Sequence, residues 1–430
     1  MSTSTVRDDA PALLPPRRSA ERFAVLAAVV SVALQPFLHP AGPGNSSPVD
    51  VAILVTILAT AVWLAGTRVP VRAPYVVPVA LMALGGAVAG LVGPLPGVSL
   101  LAVFQDLVIF TWAVAVTNLA RRPGITALLT GTWAVLSICW ASVLVGASVL
   151  GLTAVQGIVA REGNRALFTF GDPNYAATFW VCSIFLVHAA QRPRHRWLRW
   201  LGYVLLVWSL VLTQSNGGVL ELLAGCAFVV AVAVHRRRGV AAALATSAAI
   251  TLGVGAALTA VPLSEIQAWA RASGQPLLVD SLGRSDSSSA QRSILIRETL
   301  QLYSQDGVVG SGPGTTKELL TARQFAYAKE AHDDYLAALV ERGPLGLLGI
   351  LLLTAAAARW AARVLRGPPD DGELPRPVGL VAALVAMALA GAYYEVLHFR
   401  FVWLLLAVLA AVGARWAPGR DGTPSDEVTP

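Results

Sequence analysis

Charged residues are scarce in this sequence. Asp, Glu, Lys and Arg make up 13% of the 430 residues, whereas 55% are hydrophobic and the mean hydropathy is +0.63. A soluble globular protein carries roughly 25% charged residues. The shortage of charge, together with repeated apolar runs of about twenty residues, excludes an ordinary soluble protein and predicts a helical membrane protein that crosses the bilayer several times.

Cysteine and lysine are also rare. The three cysteines, Cys139, Cys182 and Cys226, all lie inside apolar runs, where cysteine behaves as a small hydrophobic residue. This placement argues against a disulfide framework and against a cysteine metal site. Lysine occurs only twice, at Lys317 and Lys329, so nearly all of the positive charge is carried by arginine.

The apolar runs predict an all-α, polytopic membrane protein with about twelve transmembrane helices. We expect residues 1–21 and 417–430 to be disordered cytoplasmic tails, and residues 22–416 to form the transmembrane domain, with a large extracytoplasmic loop at 263–334 between helices nine and ten. No cleavage pattern of a signal peptide follows the first apolar run. The predicted spans are 22–38, 50–66, 74–92, 98–119, 125–150, 175–190, 198–213, 218–234, 240–262, 335–358, 378–396 and 399–416.

The arginines predict the orientation of these spans. With twelve spans, the arginine-bearing tails and the connections after spans two, four, six, eight and ten fall on one side. The loops between spans one and two, three and four, and seven and eight carry no basic residue, and the long loop 263–334, which does, is of a length that escapes the rule. Short cytoplasmic loops are enriched in Lys and Arg. We therefore expect a multi-pass protein of the plasma (inner) membrane with both termini in the cytoplasm.

Two arginines break this pattern. Arg161 and Arg165 lie in the short outer loop between spans five and six, where basic residues are disfavoured. They could pair with Glu162 and Asp172, or they could form a phosphate site that faces the outside. Both interpretations are open from the residues alone.

A polar stretch of about seventy residues, Ser264–Tyr335, interrupts the apolar sequence. Arg292 opens a helical run just after three serines at 287–289, which can supply an N-cap. The sequence Gly-Ser-Gly-Pro-Gly at 310–314 predicts a tight turn whose backbone N–H groups are free to face an anion. His332-Asp333-Asp334-Tyr335 then stands where the chain returns to apolar sequence. A basic group, a glycine turn and a histidine at a membrane surface suggest chemistry on a charged, lipid-borne substrate.

Asp106 lies some eight residues inside the fourth span, a depth of about 12 Å. Charge at that depth is costly and often functional, but a structural ion pair or a protonated acid explains it equally well. Near the outer ends of other spans stand further charged residues that could line the same cavity: Glu221, Glu341, Glu395 and Arg400.

Four motifs recur in a spacing typical of one family. They are Arg165 before Gly171-Asp172-Pro173-Asn174-Tyr175; Leu212-Thr213-Gln214-Ser215 with Gly217-Gly218; Arg292 with Gly310-Ser311-Gly312 eighteen residues on; and His332-Asp333-Asp334-Tyr335-Leu336 with Glu341, Gly343 and Gly346.

Over roughly residues 160–360 the sequence thereby resembles the O-antigen ligases and O-antigen polymerases, integral-membrane glycosyltransferases that act on polyprenyl-diphosphate-linked glycans. Two positions depart from the family pattern. Asn216 stands where the family often has arginine, so no phosphate role is carried over to it. Asp333 replaces the usual asparagine, and its carboxylate is expected to raise the pKa of His332.

The resemblance implies a site. Arg165 and Arg292 would hold the donor diphosphate and His332 would stand at the reacting centre. The resemblance implies the following substrate contacts: Arg161, Asn174, Arg297, Gly310, Gly312 and Tyr335. Elementary chemistry agrees with these roles, because guanidinium groups bind phosphate oxygens in pairs and a histidine can accept the proton of an attacking hydroxyl. His332 could instead act as a cation that supports the leaving diphosphate, or merely cap or anchor a helix at the interface. We expect His332 and Tyr335 to share one helical face.

The implied partners are a polyprenyl-diphosphate-linked glycan as donor, a glycan or lipid-linked glycan as acceptor, and membrane lipid; no nucleic acid is expected. No cofactor is expected, and no metal site either, because the outer loops contain no DxD pattern. Two rival functions are a transporter or flippase and a membrane scaffold. A transporter predicts inverted repeats with broken helices at mid-membrane, which are not evident in the sequence, and a scaffold leaves the outer arginines unexplained.

Overall fold

The computed structural model describes residues 16–39, 42, 46–67, 69–159, 164–260, 263–275, 278–279, 287–325, 328–368, 370 and 372–416. Within these residues the chain is helical, without a β-strand. The helices are α1 Pro16–Ala33, α2 Pro48–Ala65, α3 Val76–Val92, α4 Pro96–Ala120, α5 Ile125–Val149, α6 Thr153–Gln156, α7 Pro173–Ala190, α8 Arg196–Thr213, α9 Asn216–Ala260, α10 Leu263–Ala272, α11 Ser287–Asp306, α12 Thr316–Ala322, α13 Asp334–Arg366, α14 Pro377–Ala390 and α15 Arg400–Arg415.

Five helices are long and apolar enough to cross a membrane by length and composition. They are α2, α4, α5, α13 and, within α9, Asn216–Gly253, while α3 and α14 are shorter apolar helices. A helix satisfies its own backbone hydrogen bonds, which is why helical segments are stable in lipid. The all-α, multi-helix membrane architecture is thus confirmed, while the count of twelve spans stays a prediction.

Helix α9 is two helical segments joined at Gly239, whose backbone is non-helical (φ +85°, ψ −179°). The two segments correspond to the predicted spans eight and nine. Helix α1 begins at Pro16, so part of the predicted tail 1–21 is helical, and the remaining tail residues 1–15 and 417–430 lie outside the described residues.

The centre of the bundle is formed by α7 and α15. Almost every residue from Phe401 to Gly413 is buried, and α7 is buried on all sides along most of its length. Helices that are apolar all round belong in the interior of a large bundle. By contrast, α2 and α8 leave large side chains such as Leu58 and Val204 more than 60% exposed, as lipid-facing helices do.

The polar stretch before α13 contains α10, α11 and α12. The predicted helical run at Arg292 lies within α11, which begins earlier, at Ser287, whereas α10 and α12 were not predicted. On α11, Leu295, Thr299 and Leu302 recur at helical spacing and are buried. Leu295 and Leu302 form a second, smaller core with Leu319 of α12 and Val340 of α13. This core fixes α11 against the beginning of α13.

The predicted span 378–396 is too long at its C-terminal end. Helix α14 ends at Ala390 with Gly391 as C-cap, and α15 begins only at Arg400. The connection Gly391–Phe399, which we call the aromatic loop, contains Tyr393, Tyr394 and Glu395.

Candidate active site

The site begins at the N-terminus of α7. Asp172 is the N-cap residue, and its Oδ1 accepts hydrogen bonds from the backbone N–H groups of Asn174 (2.7 Å) and Tyr175 (3.0 Å). Pro173 occupies the first helical position, where its missing N–H has no cost. Gly171 has φ +76° and a Cβ there would lie 1.9 Å from Nε2 of His39. These contacts explain the Gly-Asp-Pro-Asn motif as a tightly packed helix start.

Arg165 is buried against this helix start, with 7% of its surface exposed. Its Nε donates to the carbonyl of Thr213 (2.9 Å) and its Nη2 to Oδ1 of Asn174 (3.0 Å). The same Asn174 oxygen accepts a hydrogen bond from the Ser215 hydroxyl (2.9 Å). Arg165 and Asn174 therefore join the start of α7 to the turn between α8 and α9.

The N-terminus of α9 lies beside that of α7. The Ser215 hydroxyl accepts the N–H of Gly218 (3.2 Å). Oε1 of Glu221, one turn further on, accepts from the hydroxyl groups of Thr178 on α7 (3.0 Å) and Tyr393 of the aromatic loop (2.8 Å). A Cβ at Gly217 would meet the Tyr393 ring at 2.7 Å, so this glycine lets the ring lie on the helix. Two helix N-termini, which favour anions, thus converge here.

Arg292 reaches the same place from the other side. It precedes Leu295 by three residues on α11, and therefore shares the helical face that packs on the protein. Its Cζ lies 5.6 Å from the centroid of the Tyr393 ring, a cation–π contact. Tyr393 donates to Glu221, which also accepts from Thr178 of α7. Arg292 is thus linked to α7 indirectly, through Tyr393 and Glu221, whereas Arg165 contacts Asn174 of α7 directly.

His332 lies against the aromatic loop. It has φ +53°, its ring stacks on Tyr394 (centroids 5.4 Å apart, 25° between planes), and its backbone N–H donates to Oε1 of Glu395 (3.2 Å). Burial, followed by the charges of Lys329 and Arg292, lowers the pKa of His332 to about 4, while Asp172 acts in the opposite direction. His332 is therefore neutral at pH 7 and lies within electrostatic reach of both Arg292 and Asp172.

The expectation that Asp333 raises the pKa of His332 is wrong. Asp333 is the N-cap of α13, and its Oδ1 accepts the N–H groups of Tyr335 (2.8 Å) and Leu336 (2.9 Å). The next carboxylate, Asp334, accepts the N–H groups of Val396 and Leu397 and so ties the aromatic loop to α13. Both acids serve backbone donors instead of the imidazole.

Tyr335 does not share a face with His332, because His332 precedes the helix. The Tyr335 hydroxyl lies 3.4 Å from that of Thr354, and the ring lines an apolar groove of about 200 Å³ between α13 and α14. Arg297 is exposed and follows Arg292 by five residues, so it points away from the face that carries Arg292. Arg161 lies outside the described residues.

The glycine turn does not offer the free N–H groups that its sequence suggested. The N–H of Ser311 donates to the carbonyl of Val340 (2.9 Å) and that of Gly312 to the carbonyl of Glu341 (2.9 Å). The N–H of Gly314 donates to Oε2 of Glu341 (2.9 Å). A Cβ at Gly310 would lie 2.7 Å from the backbone nitrogen of Gly343. The turn is therefore a close backbone joint with α13, and these donors are already engaged.

The joint sits at a break in α13. Gly343, followed by Pro344, has φ +65° and ψ −164°, and a Cβ there would lie 2.5 Å from the carbonyl oxygen of Val309. Only glycine fits such a conformation and approach. The Glu-x-Gly motif thus supplies the Glu341 carboxylate, which accepts from the glycine turn, and Gly343, at which α13 breaks.

Two partly buried charges are explained by ion pairs. Asp106 accepts from Nη2 of Arg342 at 2.5 Å, which supports the structural interpretation of this intramembrane acid. Arg400 binds both oxygens of Asp50 (3.0 and 2.9 Å). The described residues contain no group of three His, Cys, Asp or Glu side chains placed to hold a metal ion.

Comparison with protein families places this geometry in context. Residues 201–351 match the family model described as O-Antigen ligase (Wzy_C). The chain carries an O-antigen ligase domain. A search of curated proteins returned no match. The matched segment holds Ser215, Arg292 and His332, whereas Arg165 and the aromatic loop lie outside it. The match supports a role like that of membrane glycosyltransferases of the ligase or polymerase type.

The aromatic loop is the part of the site that the sequence interpretation missed. The predicted span 378–396 contains Tyr393 and Tyr394, with Glu395 near its outer end. Three consecutive polar or amphipathic side chains after Gly391 are a signal that the helix has ended. The apolar residues on both sides of this segment favour a continuous span and outweigh that signal.

Proposed function

We propose that this O-antigen ligase domain transfers a glycan from a polyprenyl-diphosphate carrier to an acceptor hydroxyl at the outer face of the plasma membrane. The bond from the anomeric carbon to the diphosphate oxygen breaks, and a new bond forms between that carbon and the acceptor oxygen. The polyprenyl diphosphate leaves with the negative charge. The acceptor is a glycan or a lipid-linked glycan, according to whether the protein acts as a polymerase or a ligase.

Arg165 and Arg292 stabilise the leaving diphosphate in this proposal. Guanidinium groups stay charged and bind phosphate oxygens through paired donors, and fixed positive charge is most effective where negative charge develops. The two arginines approach the starts of α7 and α9, where the helix dipoles add to their charge. Asn174 positions Arg165, and Tyr393 positions Arg292.

His332 takes the proton of the acceptor hydroxyl. The observation that carries the proposal is the neutral imidazole beside Arg292, because a general base must be unprotonated before it acts. Stacking on Tyr394 holds the ring, and the hydrogen bond from the backbone N–H to Glu395 fixes the main chain of His332. The proton passes to the imidazole as the anomeric bond breaks, and no metal is required in this scheme.

The test is turnover of purified protein in liposomes with a polyprenyl-diphosphate oligosaccharide as donor. One charged hydrogen bond contributes about 1.5–3 kcal/mol, so Arg292→Ala should slow turnover roughly 10- to 150-fold. Arg292→Lys should recover only part of the rate, since lysine lacks the planar fork. Arg323→Ala removes an exposed arginine from the same polar segment and serves as the control. Normal turnover by Arg292→Ala would overturn the diphosphate assignment.

A further inference from the structure

A second charged cavity lies at the end of the bundle opposite the candidate active site. It has a volume of about 660 Å³ and is enclosed by the last turn of α7, the first turns of α8, the middle of the first α9 segment and the residue before α14. Helix α7 connects the two places. Its 18 residues separate its two ends by about 27 Å, so the cavity is distinct from the site around His332.

Three arginines surround this cavity. Arg196 and Arg199 come from α8 and Arg376 from the N-cap of α14, while His188 and Gln191 add polar groups from the end of α7. Nη1 of Arg199 donates to the carbonyls of Gln191 and Pro193, both at 3.1 Å, so its guanidinium is held in place. The residues that line the cavity include no Asp or Glu. Like charges gathered in this way repel one another unless an anion lies between them.

The remaining walls are apolar and aromatic. Phe185 of α7 and Val229 of α9 form part of the lining, together with Trp200 and Tyr203 of α8. Trp200 is 60% exposed and the neighbouring Trp197 is 66% exposed. Exposed Trp and Tyr next to arginine are typical of a helix end at the level of the lipid headgroups. The cavity therefore combines anion-binding groups with a surface suited to acyl chains.

We propose that this cavity binds the phosphate-bearing headgroup of an anionic phospholipid. The arginines would contact the phosphate oxygens in pairs, and the acyl chains would lie along the exposed apolar side of α8. A free phosphate ion would use the arginines but leave the aromatic and apolar walls unoccupied, which is why the lipid is the better occupant. Basic pockets between transmembrane helices recognise lipid headgroups in this manner.

The test measures the thermal unfolding midpoint of the delipidated full-length protein in detergent. Three additions are compared: dioleoylphosphatidylglycerol, dioleoylphosphatidylcholine and inorganic phosphate. Only the anionic lipid should raise the midpoint of the wild type. The lipid concentration needed for half of this effect should increase roughly 30-fold in Arg196→Gln/Arg376→Gln, since each arginine near the headgroup contributes to binding.

A matched control removes the same charge from the same end of the bundle. Arg237 and Arg238 are exposed near the end of the first α9 segment and do not line the cavity, so Arg237→Gln/Arg238→Gln should respond to the lipid as the wild type does. The single variant Arg196→Gln, which alters an exposed side chain, replaces the double variant if the latter does not fold. An equal response to inorganic phosphate, or an unchanged lipid response of the Arg196 variants, would overturn the proposal.

Discussion

At the scale of single residues, the chemistry of this site depends on the charge state of His332. The ring stacks on Tyr394 and is influenced by two positive charges, those of Lys329 and Arg292. Burial of the ring and these two positive charges disfavour the imidazolium form. A neutral histidine can act as the base that accepts the proton of the acceptor hydroxyl. It cannot act as a cation that supports the leaving diphosphate.

The pH dependence of the reaction tests this assignment. With a pKa of about 4 for His332, kcat/KM should be constant between pH 6 and 8 and should fall only as the pH approaches 4, where the ring becomes protonated. The acidic limb of the kcat profile should lie at higher pH than that of the kcat/KM profile, because the bound diphosphate stabilises the imidazolium ion and so raises the pKa of His332. His332→Ala should lower kcat about 10²- to 10⁴-fold while donor binding changes little. A rate that declines from pH 6 to 8 would reject the base in favour of a cation.

Activity in purified membranes should survive EDTA. Asp172, Asp333 and Asp334 each accept backbone N–H groups at the end of a helix or loop. Carboxylates used in this way are poorly placed to share a divalent cation. Loss of activity on chelation, restored by Mg²⁺ or Mn²⁺, would reverse this expectation and point to these three acids as ligands.

At the scale of elements, the joint between the glycine turn and the break in α13 positions α11 and therefore Arg292. The Glu341 carboxylate accepts from the N–H of Gly314 and from the hydroxyl of Thr316 (2.9 and 2.7 Å). Each bond to a charged group contributes about 1.5–3 kcal/mol. The turn and the small core around Leu295 form one unit with α13.

Glu341→Ala should loosen the contact between the glycine turn and α13 without altering the residues proposed to bind the substrate. Hydrogen exchange should show lost protection in residues 310–322, and turnover should fall because Arg292 is no longer held. Glu318→Ala, which removes a carboxylate from the exposed face of α12, should leave the exchange pattern unchanged. Full protection combined with weaker donor binding in Glu341→Ala would instead assign Glu341 to the substrate site.

Helix positions were largely predictable from the sequence, and the local hydrogen-bond partners were not. Hydropathy locates a helix such as α5, predicted at 125–150 and found at Ile125–Val149, because lipid demands a long apolar run. It cannot tell that Asp333 caps α13 or that the turn at Gly312 donates to Glu341, because both depend on how separate elements meet. Asp106 likewise pairs with Arg342, a partner 236 positions away in the sequence.

At the scale of the whole molecule, the two ends of the bundle differ in character. One end gathers helix N-termini, two arginines and a neutral histidine around the start of α7. The other end gathers Arg196, Arg199 and Arg376 around its last turn. If the second end faces anionic cytoplasmic lipid, the first end faces the outside, where a lipid-linked glycan would be transferred.

Cysteine labelling tests this orientation. The native Cys139 and Cys226 are exposed on the protein surface, so all three cysteines are first replaced by serine. A cysteine at the exposed Ser304 of α11 should react with an impermeant maleimide in intact cells. A cysteine at Ser4 in the N-terminal tail should react only after lysis, because the arginine-rich connections place both termini inside. The reverse pattern would put the site around His332 in the cytoplasm, which would contradict transfer at the outer face while leaving the chemistry of the site unchanged.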